Sequence, residues 1–483
     1  MLQWIALGII IGIYYFRDPL RPLPGPVLYR LSKWRLALDD FRASRTRTIH
    51  ALHAKYGQVV RIGPSEVSFA SLSALRQIYG AGSGFERSNF YSMFDVYGRK
   101  NLFTFASAEE HGRRKKMLHH AYSKSVILNN SIITSHVEEF LQLVQKKPVM
   151  DVYSAALFYS LDNITEFLYG TAGATRALSG DESDQRMIDD QRDPARRKLT
   201  WFSTHARWYV QWLSRQTGTM AVYLDRLGMY PQRKPFVYTG IREHALKSAN
   251  LYEMSDDQTI IGRLKRYDLD SLDVASECAD HFLAGINTTS DTLLFLFWIL
   301  SRPENSSKQA KLIQELRSAG LRNVPSAKDI NAAHTPYFDA IIHETLRLYA
   351  PLPASEPRVH RQDTEIDGYI IPAGTIVSSQ VYTLHRNPDV FKEPDTFIPE
   401  RWLNDDPELK RWWWAFSSGG RMCIGEQYLS IPLILLIVVW QLQKYRHLRR
   451  RCISNTARSS WTQLILLESI VALSCSSISG SRP

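Results

Sequence analysis

The residue types with the clearest chemical potential lie at positions 416–425, in the segment FSSGGRMCIG. Cys423 stands there just before an apolar stretch that is predicted to be helical. A helix start stabilises an anionic sulfur through its free N–H groups and its dipole. Gly419 and Gly425 carry no Cβ, which would let a flat macrocycle approach the backbone closely. Arg421 adds a fixed positive charge that suits a carboxylate of such a macrocycle, so the segment favours a cysteine thiolate bound to haem iron.

A lone cysteine is most often an unreactive buried side chain, so this interpretation depends on the neighbours of the cysteine. Five positions agree with one pattern, F-x-x-G-x-R-x-C-x-G, namely Phe416, Gly419, Arg421, Cys423 and Gly425. On this pattern the chain resembles the cytochromes P450. The resemblance implies that all five belong to the cofactor-binding segment, with Cys423 as the axial thiolate ligand of haem b and Arg421 beside a haem propionate.

A second motif, AGINTT at positions 284–289, lies in a run that is predicted to be helical from about residue 272 to residue 300. Its alanine and glycine are small enough to let a ligand approach, and Thr288 offers a hydroxyl unless that group bonds the carbonyl four residues earlier. The motif resembles the oxygen-activation sequence of the P450 family, which implies that Thr288 helps to stabilise dioxygen and deliver protons. Asn287 replaces the usual acid and cannot ionise, so water-mediated delivery and a different oxidant both stay open.

A third motif is HETLRLYAP, in which Glu344 and Arg347 are three residues apart and therefore share one helix face. Such a pair alone is usually an exposed ion pair. The later segment FIPERW adds Arg401, and together they resemble the E-x-x-R helix and the P-E-R element of the family. The resemblance implies a buried network of all three side chains that locks the haem-side core together.

Two weaker matches concern the haem propionates. The segment EEHGRRKK at positions 109–116 resembles the W-x-x-x-R helix of the family, with His111 at the aromatic position and Lys115 at the arginine position. Lysine lacks the bidentate fork of arginine, so its contact would be less directional. Arg358 matches an arginine that reaches a propionate from the strand after the E-x-x-R helix. A plain surface charge is the alternative for Lys115 and Arg358.

Composition limits the classes of protein that the chain can be. Its 483 residues are 44% hydrophobic, which suffices for one large globular unit, and its net charge is +11. No segment resembles a nucleic-acid-binding module, so the positive charge does not indicate nucleic acid. The basic run at positions 113–116 is either a solvated face or, by the resemblance, a docking site for an acidic redox partner. Four scattered cysteines give neither a disulfide framework nor zinc spacing: Cys278, Cys423, Cys452 and Cys475.

The elements that must position these motifs begin with an apolar amino terminus. Residues 1–18 are predicted to form a transmembrane anchor, since the segment lacks a basic n-region and a clear cleavage site. Arginines on its carboxyl side predict a cytosolic catalytic domain, at the endoplasmic reticulum by the resemblance. The Pro-rich residues 19–26 are predicted to form a stiff hinge. A buried core helix is the alternative for the first segment.

The remaining pattern predicts a fold that is mainly α with a small β portion. Residues 55–71 alternate around a Gly-Pro turn and indicate a hairpin, residues 72–350 are mainly helical, and short strands return around 356–380. This is the cytochrome P450 fold that the resemblance implies, as a single domain over residues 27–451. By the resemblance, residues near 91–105, 200–215, 282–288 and 352–355 line an apolar substrate pocket.

The carboxyl end departs from the family pattern. Pro432 lies inside the apolar stretch that should form a helix after the cysteine, at a cost of roughly 3 kcal/mol. Residues 452–483 are Ser-rich, without strand alternation and without a family pattern. We interpret them as an atypical tail, from mis-splicing or a frame shift or an error in the gene model, that would leave the pocket incompletely closed.

The resemblance as a whole implies a haem-thiolate mono-oxygenase that inserts one oxygen atom from O2 into a lipophilic small molecule, in specialised (secondary) metabolism. Because the chain contains no flavin- or NADPH-binding segment, the resemblance implies that electrons come from a membrane-bound NADPH-cytochrome P450 reductase. Two alternatives stay open at this point. Asn287 lends some support to an electron-independent haem-thiolate isomerase or dehydratase, and the atypical tail lends some to a vestigial haem-binding protein.

Overall fold

Helices make up most of the chain that the computed structural model describes, which is residues 16–428 apart from 130–131, 147–150, 190–192, 194, 235–238, 251–258 and 322–324. Of the α-helices whose bounds lie within these described residues, the first nine are α1 Val27–Leu31, α2 Trp34–Phe41, α3 Arg45–Tyr56, α4 Leu72–Tyr79, α5 Ala108–Leu118, α6 Lys124–Leu128, α7 Ile132–Lys146, α8 Val152–Tyr169 and α9 Glu182–Arg186. The next eleven are α10 Ala195–His205, α11 Arg207–Ser214, α12 Gly218–Arg226, α13 Gly240–Ala249, α14 Ile260–Leu264, α15 Ser271–Ser301, α16 Ser306–Ser318, α17 Ala327–Ala332, α18 Pro336–Leu348, α19 Val381–Leu384 and α20 Pro407–Trp412. Short 3-10 turns occur at Asn89–Phe94, Pro303–Asn305, Pro399–Trp402 and Gly419–Arg421.

The strands are short and form two sheets. They are β1 Val59–Gly63, β2 Glu66–Phe69, β3 Glu86–Arg87, β4 Arg358–Val359, β5 Thr364–Ile366, β6 Tyr369–Ile371 and β7 Ile376–Ser378. The larger sheet has the order β1-β2-β7-β4-β3, with β2 and β7 parallel and the other neighbours antiparallel, and β5 pairs with β6. The predicted fold class, mainly α with a small β portion, is confirmed. The hairpin and the returning strands also lie where the sequence predicts them.

The long helix α15 forms the centre of the fold. Asp270 caps it by accepting the Asp273 N–H, and Pro303 follows soon after its last residue. It packs against α8 and α13, and it lies close to α8 at Gly285, where an added Cβ would lie 2.6 Å from Ile164 Cγ1. Among the described residues, α15 is also the one helix long and apolar enough to cross a membrane. However, 72% of its most apolar window is buried inside the protein, as expected for a core helix.

The Pro-rich segment at 19–26 lies against the sheet in this structure. Leu20 and Leu23 are buried in the same hydrophobic cluster as residues of β1 and β2. The Arg61 N–H donates to the Pro24 carbonyl at 2.7 Å, and at Gly25, with φ +148°, an added Cβ would lie only 2.5 Å from Arg61 O. The predicted hinge is therefore packed onto the domain, because apolar side chains between the prolines gain by burial.

Three predictions fall on residues outside the described ranges. These are most of the anchor (residues 1–15 of 1–18), the apolar stretch that contains Pro432, and the tail at 452–483. The domain boundaries at 27 and 451 likewise stay predictions.

The contact between α15 and α8 yields a test of packing. Replacing Gly285 with alanine brings the new methyl group against Ile164, so we expect the free energy of unfolding to fall by about 1–3 kcal/mol. Differential scanning calorimetry of the purified protein measures this as a lower melting temperature. Gly112→Ala is the matched control, since nothing lies within 4 Å of a Cβ added in α5. Equal effects of the two substitutions would contradict the close approach of the helices.

Candidate active site

The cysteine loop adopts a conformation that depends on one glycine. Gly419 has φ +66°, and a Cβ there would lie 2.3 Å from the Tyr79 carbonyl oxygen, so no larger residue fits without moving the backbone. The loop then closes on itself, since the Cys423 N–H donates to the Phe416 carbonyl at 3.0 Å. A Cβ added at Gly425 would stand 3.9 Å from the Cys423 sulfur. The loop thus fixes the position of the thiol, and the glycines near the thiol carry no side chains.

A cavity of about 520 Å³ joins this loop to helix α15. From the loop, Phe416, Arg421, Cys423 and Gly425 line it, and from α15 Thr288 does. Other lining residues fall in the four regions that the sequence predicts, among them Tyr91, Phe103, Thr200, Trp201, Ala284, Leu352 and Ser355. Phe282, at the edge of the third region, instead lies in the core against Tyr169 and His244. One space therefore contacts both the thiol and the threonine.

The Cys423 thiol faces two opposing influences. Its side chain is accessible from the cavity, yet the dense surrounding protein raises the pKa of the thiol by burial. The Gly425 N–H and Lys115 act to lower that pKa, and Glu426 and Glu356 to raise it. A coordinating metal removes the burial penalty because it deprotonates a thiol outright. The site therefore suits a metal-bound sulfur better than a free thiolate.

Thr288 and Asn287 occupy different surroundings on α15. The Thr288 hydroxyl donates to the Ala284 carbonyl at 2.7 Å, which is the bond to the residue four earlier that the sequence left as an alternative. The helix is continuous at this point, and Thr288 still lines the cavity. Asn287 is 4% exposed and is not among the lining residues. The threonine can thus reach a bound ligand by a rotation of its side chain, whereas the asparagine is turned into the protein.

Cationic side chains gather beside the cysteine loop. In the sheet, Arg87 of β3 is the register partner of Arg358 of β4, so the two guanidinium groups emerge side by side. Arg87, Arg421 and His111 line the cavity, and Arg358 is 2% exposed and donates to the Tyr91 hydroxyl at 2.7 Å. Arg358 also pairs with Glu356, at 3.1 Å.

Burial is the main cause of the lowered pKa values in this group, and neighbouring cations add to it. At Arg358 burial is outweighed by Tyr91 and Glu356, which raise the pKa. Burial lowers the pKa of Arg87 to about 9, and the positive charges of Arg358 and Arg421 contribute to this lowering. Burial and Arg358 lower the pKa of Arg421 to about 10, and burial with Arg87 and Arg421 lowers the pKa of His111 to about 3. Among the described residues, the buried Arg87 Nε has no hydrogen-bond partner. The cluster therefore suits a ligand that brings negative charge.

Sequence reasoning missed Arg87, because a single arginine in a two-residue strand carries no signal until the sheet register is known. It placed Lys115 in the group, and the structure has Lys115 Nζ donating to the carbonyls of Gly420 at 3.0 Å and Met422 at 3.2 Å. Lys115 therefore contacts the backbone of the cysteine loop directly. Arg421 likewise donates to backbone, to the carbonyls of Phe105 at 2.9 Å and of Ala106.

The docking hypothesis for positions 113–116 needs a correction at Arg114. Arg113 and Lys116 are exposed, but Arg114 is 7% exposed and its guanidinium pairs with the buried Glu277 of α15. Residues three or four apart share a helix face, so adjacent members of this run point in different directions. Arg114 is thus an internal counter-charge, and Arg113 and Lys116 remain for a partner.

The structure brings Glu344, Arg347 and Arg401 together. The Glu344 carboxylate accepts two bonds from Arg347, at 2.8 and 2.9 Å, and one from Arg401 at 3.2 Å. It also accepts the Trp402 indole N–H and the Ile398 backbone N–H, both at 2.9 Å, which sequence reasoning did not foresee. Glu344 and Arg347 have no exposed side-chain surface. A buried carboxylate with five donors is fully satisfied.

This network extends to the cysteine loop through His385. Burial and Arg347 lower the pKa of His385 to about 3, so the ring is neutral at pH 7. Its Nδ1 donates to the Arg347 carbonyl at 3.1 Å, and its Nε2 accepts the Trp414 N–H at 2.8 Å. The Trp414 indole in turn donates to the Ser418 hydroxyl at 3.2 Å. The ion pair in α18 and the loop around the cysteine are therefore parts of one hydrogen-bonded structure.

Comparison with known proteins identifies the family. The family model for cytochrome P450 matches residues 22–469, most of the chain. The chain belongs to the cytochrome P450 family.

This P450 is similar to fungal enzymes over most of their length. It is 26% identical to cytochrome P450 monooxygenase orf2 of Aspergillus niger, over 91% of this chain and 89% of that protein. It is 29% identical to cytochrome P450 monooxygenase aflV of Aspergillus parasiticus, over 87% and 84%, and 27% identical to benzoate 4-monooxygenase bphA of A. niger, over 89% of each. The family and these relatives establish a P450 monooxygenase, which uses a small-molecule substrate, O2 and a redox partner.

Membership implies haem ligated by a cysteine thiolate, and the residues present fit that group. The fit rests on the Cys423 thiol that opens into the cavity, the glycines without side chains around it, and the cationic side chains beside it. The unpartnered Arg87 Nε is a buried donor that a haem carboxylate would satisfy.

The network around Glu344 yields a prediction for haem loading. Glu344→Ala leaves the buried Arg347 without a counter-charge, so we expect a loss of about 3–5 kcal/mol and little or no haem-loaded protein. The haem-to-protein ratio of the purified chain measures this. Glu182→Ala is a matched control, because it breaks an exposed pair with Arg186 and should leave the ratio unchanged. Normal haem content in the Glu344 variant would refute the role of the network.

Proposed function

We propose that Cys423 is the thiolate that would hold the haem of this P450 and that the cavity lined by Cys423 is where the substrate is oxidised. The observation that carries the proposal is the single cavity that contacts both the Cys423 thiol and Thr288. Haem bound at Cys423 supplies the activation of dioxygen and the oxidation of the substrate. The tasks of the chain are to hold the group, orient the substrate, exclude water and move protons.

The cations beside the loop hold the haem carboxylates in this proposal. Arg87 and Arg358 form the buried part of the site, Arg421 is half-buried, and the neutral His111 lies next to them. Bidentate contacts from arginine suit carboxylates. Lys115 has a different role, since its bonds to the Gly420 and Met422 carbonyls fix the loop that carries the sulfur.

Thr288 is the group proposed to donate a proton into the cavity. Its Oγ1–H leaves the Ala284 carbonyl by a rotation of the side chain and then points into the cavity. Asn287 is buried away from the cavity, so we propose that protons reach Thr288 through water and that Asn287 acts only through the packing of α15.

We further propose that the substrate is lipophilic and that the enzyme acts in specialised metabolism. Apolar and aromatic side chains along the cavity, including Phe90, Phe103 and Trp201, support the first statement. The fungal relatives named as P450 monooxygenases support the second. The proposed electron donor is NADPH-cytochrome P450 reductase, and the proposed location is the membrane of the endoplasmic reticulum, held by residues 1–18 with the domain in the cytosol.

The assignment of Cys423 predicts a spectroscopic result. The reduced, carbon monoxide-treated wild-type chain should give the red-shifted band of a thiolate ligand, and Cys423→Ser should abolish that band. Cys278→Ser is the control, because Cys278 is fully buried in α15 away from the cavity and should keep the band. An imidazole-like band in the wild type would overturn the assignment and favour a vestigial protein.

The same preparation separates the mono-oxygenase from an isomerase or dehydratase. Product formation should require both NADPH with the reductase and O2, and should stop when either is withheld. Turnover of a peroxide substrate without them would identify the electron-independent class.

The exposed cations of α5 predict a dependence of reduction on charge. Changing Arg113 and Lys116 to glutamate should slow reduction by the reductase about tenfold at low salt and weaken its salt dependence. Stopped-flow reduction of haem-loaded protein measures the rate. Arg186→Glu in α9, at an equally exposed position, should leave it unchanged. An unchanged rate and salt dependence in the double variant would place the docking site elsewhere.

A further inference from the structure

The first half of α15 carries a buried polar network next to the cavity. Glu277 pairs with Arg114 and also accepts the Leu102 N–H at 3.1 Å and a bond from His281 Nε2 at 3.1 Å. The other ring nitrogen of His281 bonds the Tyr122 hydroxyl at 2.6 Å. Both carboxylate oxygens of Glu277 and both ring nitrogens of His281 are therefore engaged within the protein.

Asp280 lies beside this network but takes no part in the hydrogen bonds just described. Its carboxylate is within 4.8 Å of the Glu277 and His281 ligand atoms, a spacing that a metal ion could also use. A metal would have to displace the bonds of Glu277 and His281 just described. Among the described residues, Asp280 forms no ion pair, and it lines the cavity. Its carboxylate can thus accept hydrogen bonds from a ligand in the cavity.

The surroundings of Asp280 favour a cation in that space. The cavity that Asp280 lines is also lined by the aromatic residues Phe90 and Phe103, and the faces of aromatic rings attract positive charge. Of the nearby cations, Arg114 is paired to Glu277, and Arg87 donates through Nη1 to the carbonyls of Leu102 and Phe103, while its Nε is the donor assigned above to a haem carboxylate. Burial, with a smaller contribution from Glu277, raises the pKa of Asp280 to about 7, while His281, Arg87 and the Phe103 N–H act against that rise. The ionised form of the half-buried Asp280 carboxyl would be stabilised by a cation that replaces the hydration it has lost.

We propose that Asp280 is a specificity-determining residue that binds a basic nitrogen of a lipophilic substrate by a charge-assisted hydrogen bond. This inference rests on the proposed function, because it takes the cavity above Cys423 as the substrate site. It names a class of substrate that the family alone does not, namely apolar amines with a protonated nitrogen.

Helix geometry sets the distance between the anchored nitrogen and the reacting carbon. Asp280, Ala284 and Thr288 are four residues apart, share one face of α15, and all line the cavity. Asp280 and Thr288 are two turns apart, or about 12 Å along the helix axis. The small side chain of Ala284 leaves the path between them open. A suitable substrate therefore has its basic nitrogen on the order of 10 Å from the carbon that is oxidised.

A matched pair of probes tests the proposal. We choose 1-(4-phenylbutyl)piperidine, whose tertiary nitrogen is protonated at pH 8, and its carbon analogue 4-phenylbutylcyclohexane. Their dissociation constants for the haem-loaded full chain are measured from the change in haem absorption and, independently, from the rise in melting temperature. We expect wild type to bind the amine about tenfold more tightly than the carbon analogue.

Substitutions at Asp280 test whether its carboxylate causes the preference for the amine probe. Asp280→Asn should reduce the preference to about twofold or less by weakening only the amine, while Asp280→Glu should retain much of it. Asp273→Asn is the control on the same helix, since Asp273 faces Arg99 outside the cavity lining and its loss should leave both affinities unchanged.

The outcomes separate this inference from the proposed function. Equal affinity of wild type for the two probes, with a normal thiolate spectrum, overturns the role of Asp280 and leaves Cys423 as the ligand. A preference that persists in Asp280→Asn also overturns it. A missing thiolate spectrum instead overturns the proposed function. If Asp280→Asn fails to fold, the wild-type comparison and Asp280→Glu still decide.

Discussion

The buried Glu344 carboxylate is the interaction on which the rest of the site depends. It lies in α18 without solvent contact, and five N–H groups from Arg347, Arg401, Trp402 and Ile398 converge on it. Arg347 also donates to the carbonyls of residues 385, 394 and 396, so one ion pair holds the long segment that leads to the cysteine loop. Through the neutral His385, the same network fixes Trp414 just before that loop. Because charges this deep are costly unless fully bonded, the segment has one favourable arrangement.

The second constraint is electrostatic and lies on the other side of the loop. The pairing of β3 with β4 sets Arg87 beside Arg358, and Arg421 joins them from the loop. Glu356 is the acid paired with Arg358 there, at 3.1 Å, and the lowered pKa values of Arg87 and Arg421 reflect burial and mutual repulsion. If haem carboxylates bind here, as we propose, they relieve that repulsion, and binding of the cofactor is then coupled to the stability of the fold.

Different parts of helix α15 carry different residues of the site. Its first half holds Glu277 and His281 in a closed network and turns Asp280 to the cavity, and its middle brings Thr288 over the cysteine loop. The close approach of Gly285 to Ile164 of α8 fixes the helix between these two sites. Because a helix keeps its repeat strictly, a carboxylate and a hydroxyl eight residues apart share one wall at a set separation. The proposed sites of substrate recognition and of proton delivery thus occupy different positions on one rigid element.

The sequence by itself determined the family, the mainly α fold and the hairpin near residue 59, and it singled out Cys423, Thr288, Glu344 and Arg347 as candidate site residues. These follow from local spacing, which a single segment of chain carries. Only the tertiary structure decided that Arg87 faces Arg358, that Arg114 is the internal partner of Glu277, and that Trp402 joins the Glu344 network. It also turned Asn287 into the core and Asp280 toward the cavity, although both lie on one helix. Such relations depend on sheet register and on the rotation of a helix against its neighbours, which are set by packing between segments far apart in sequence.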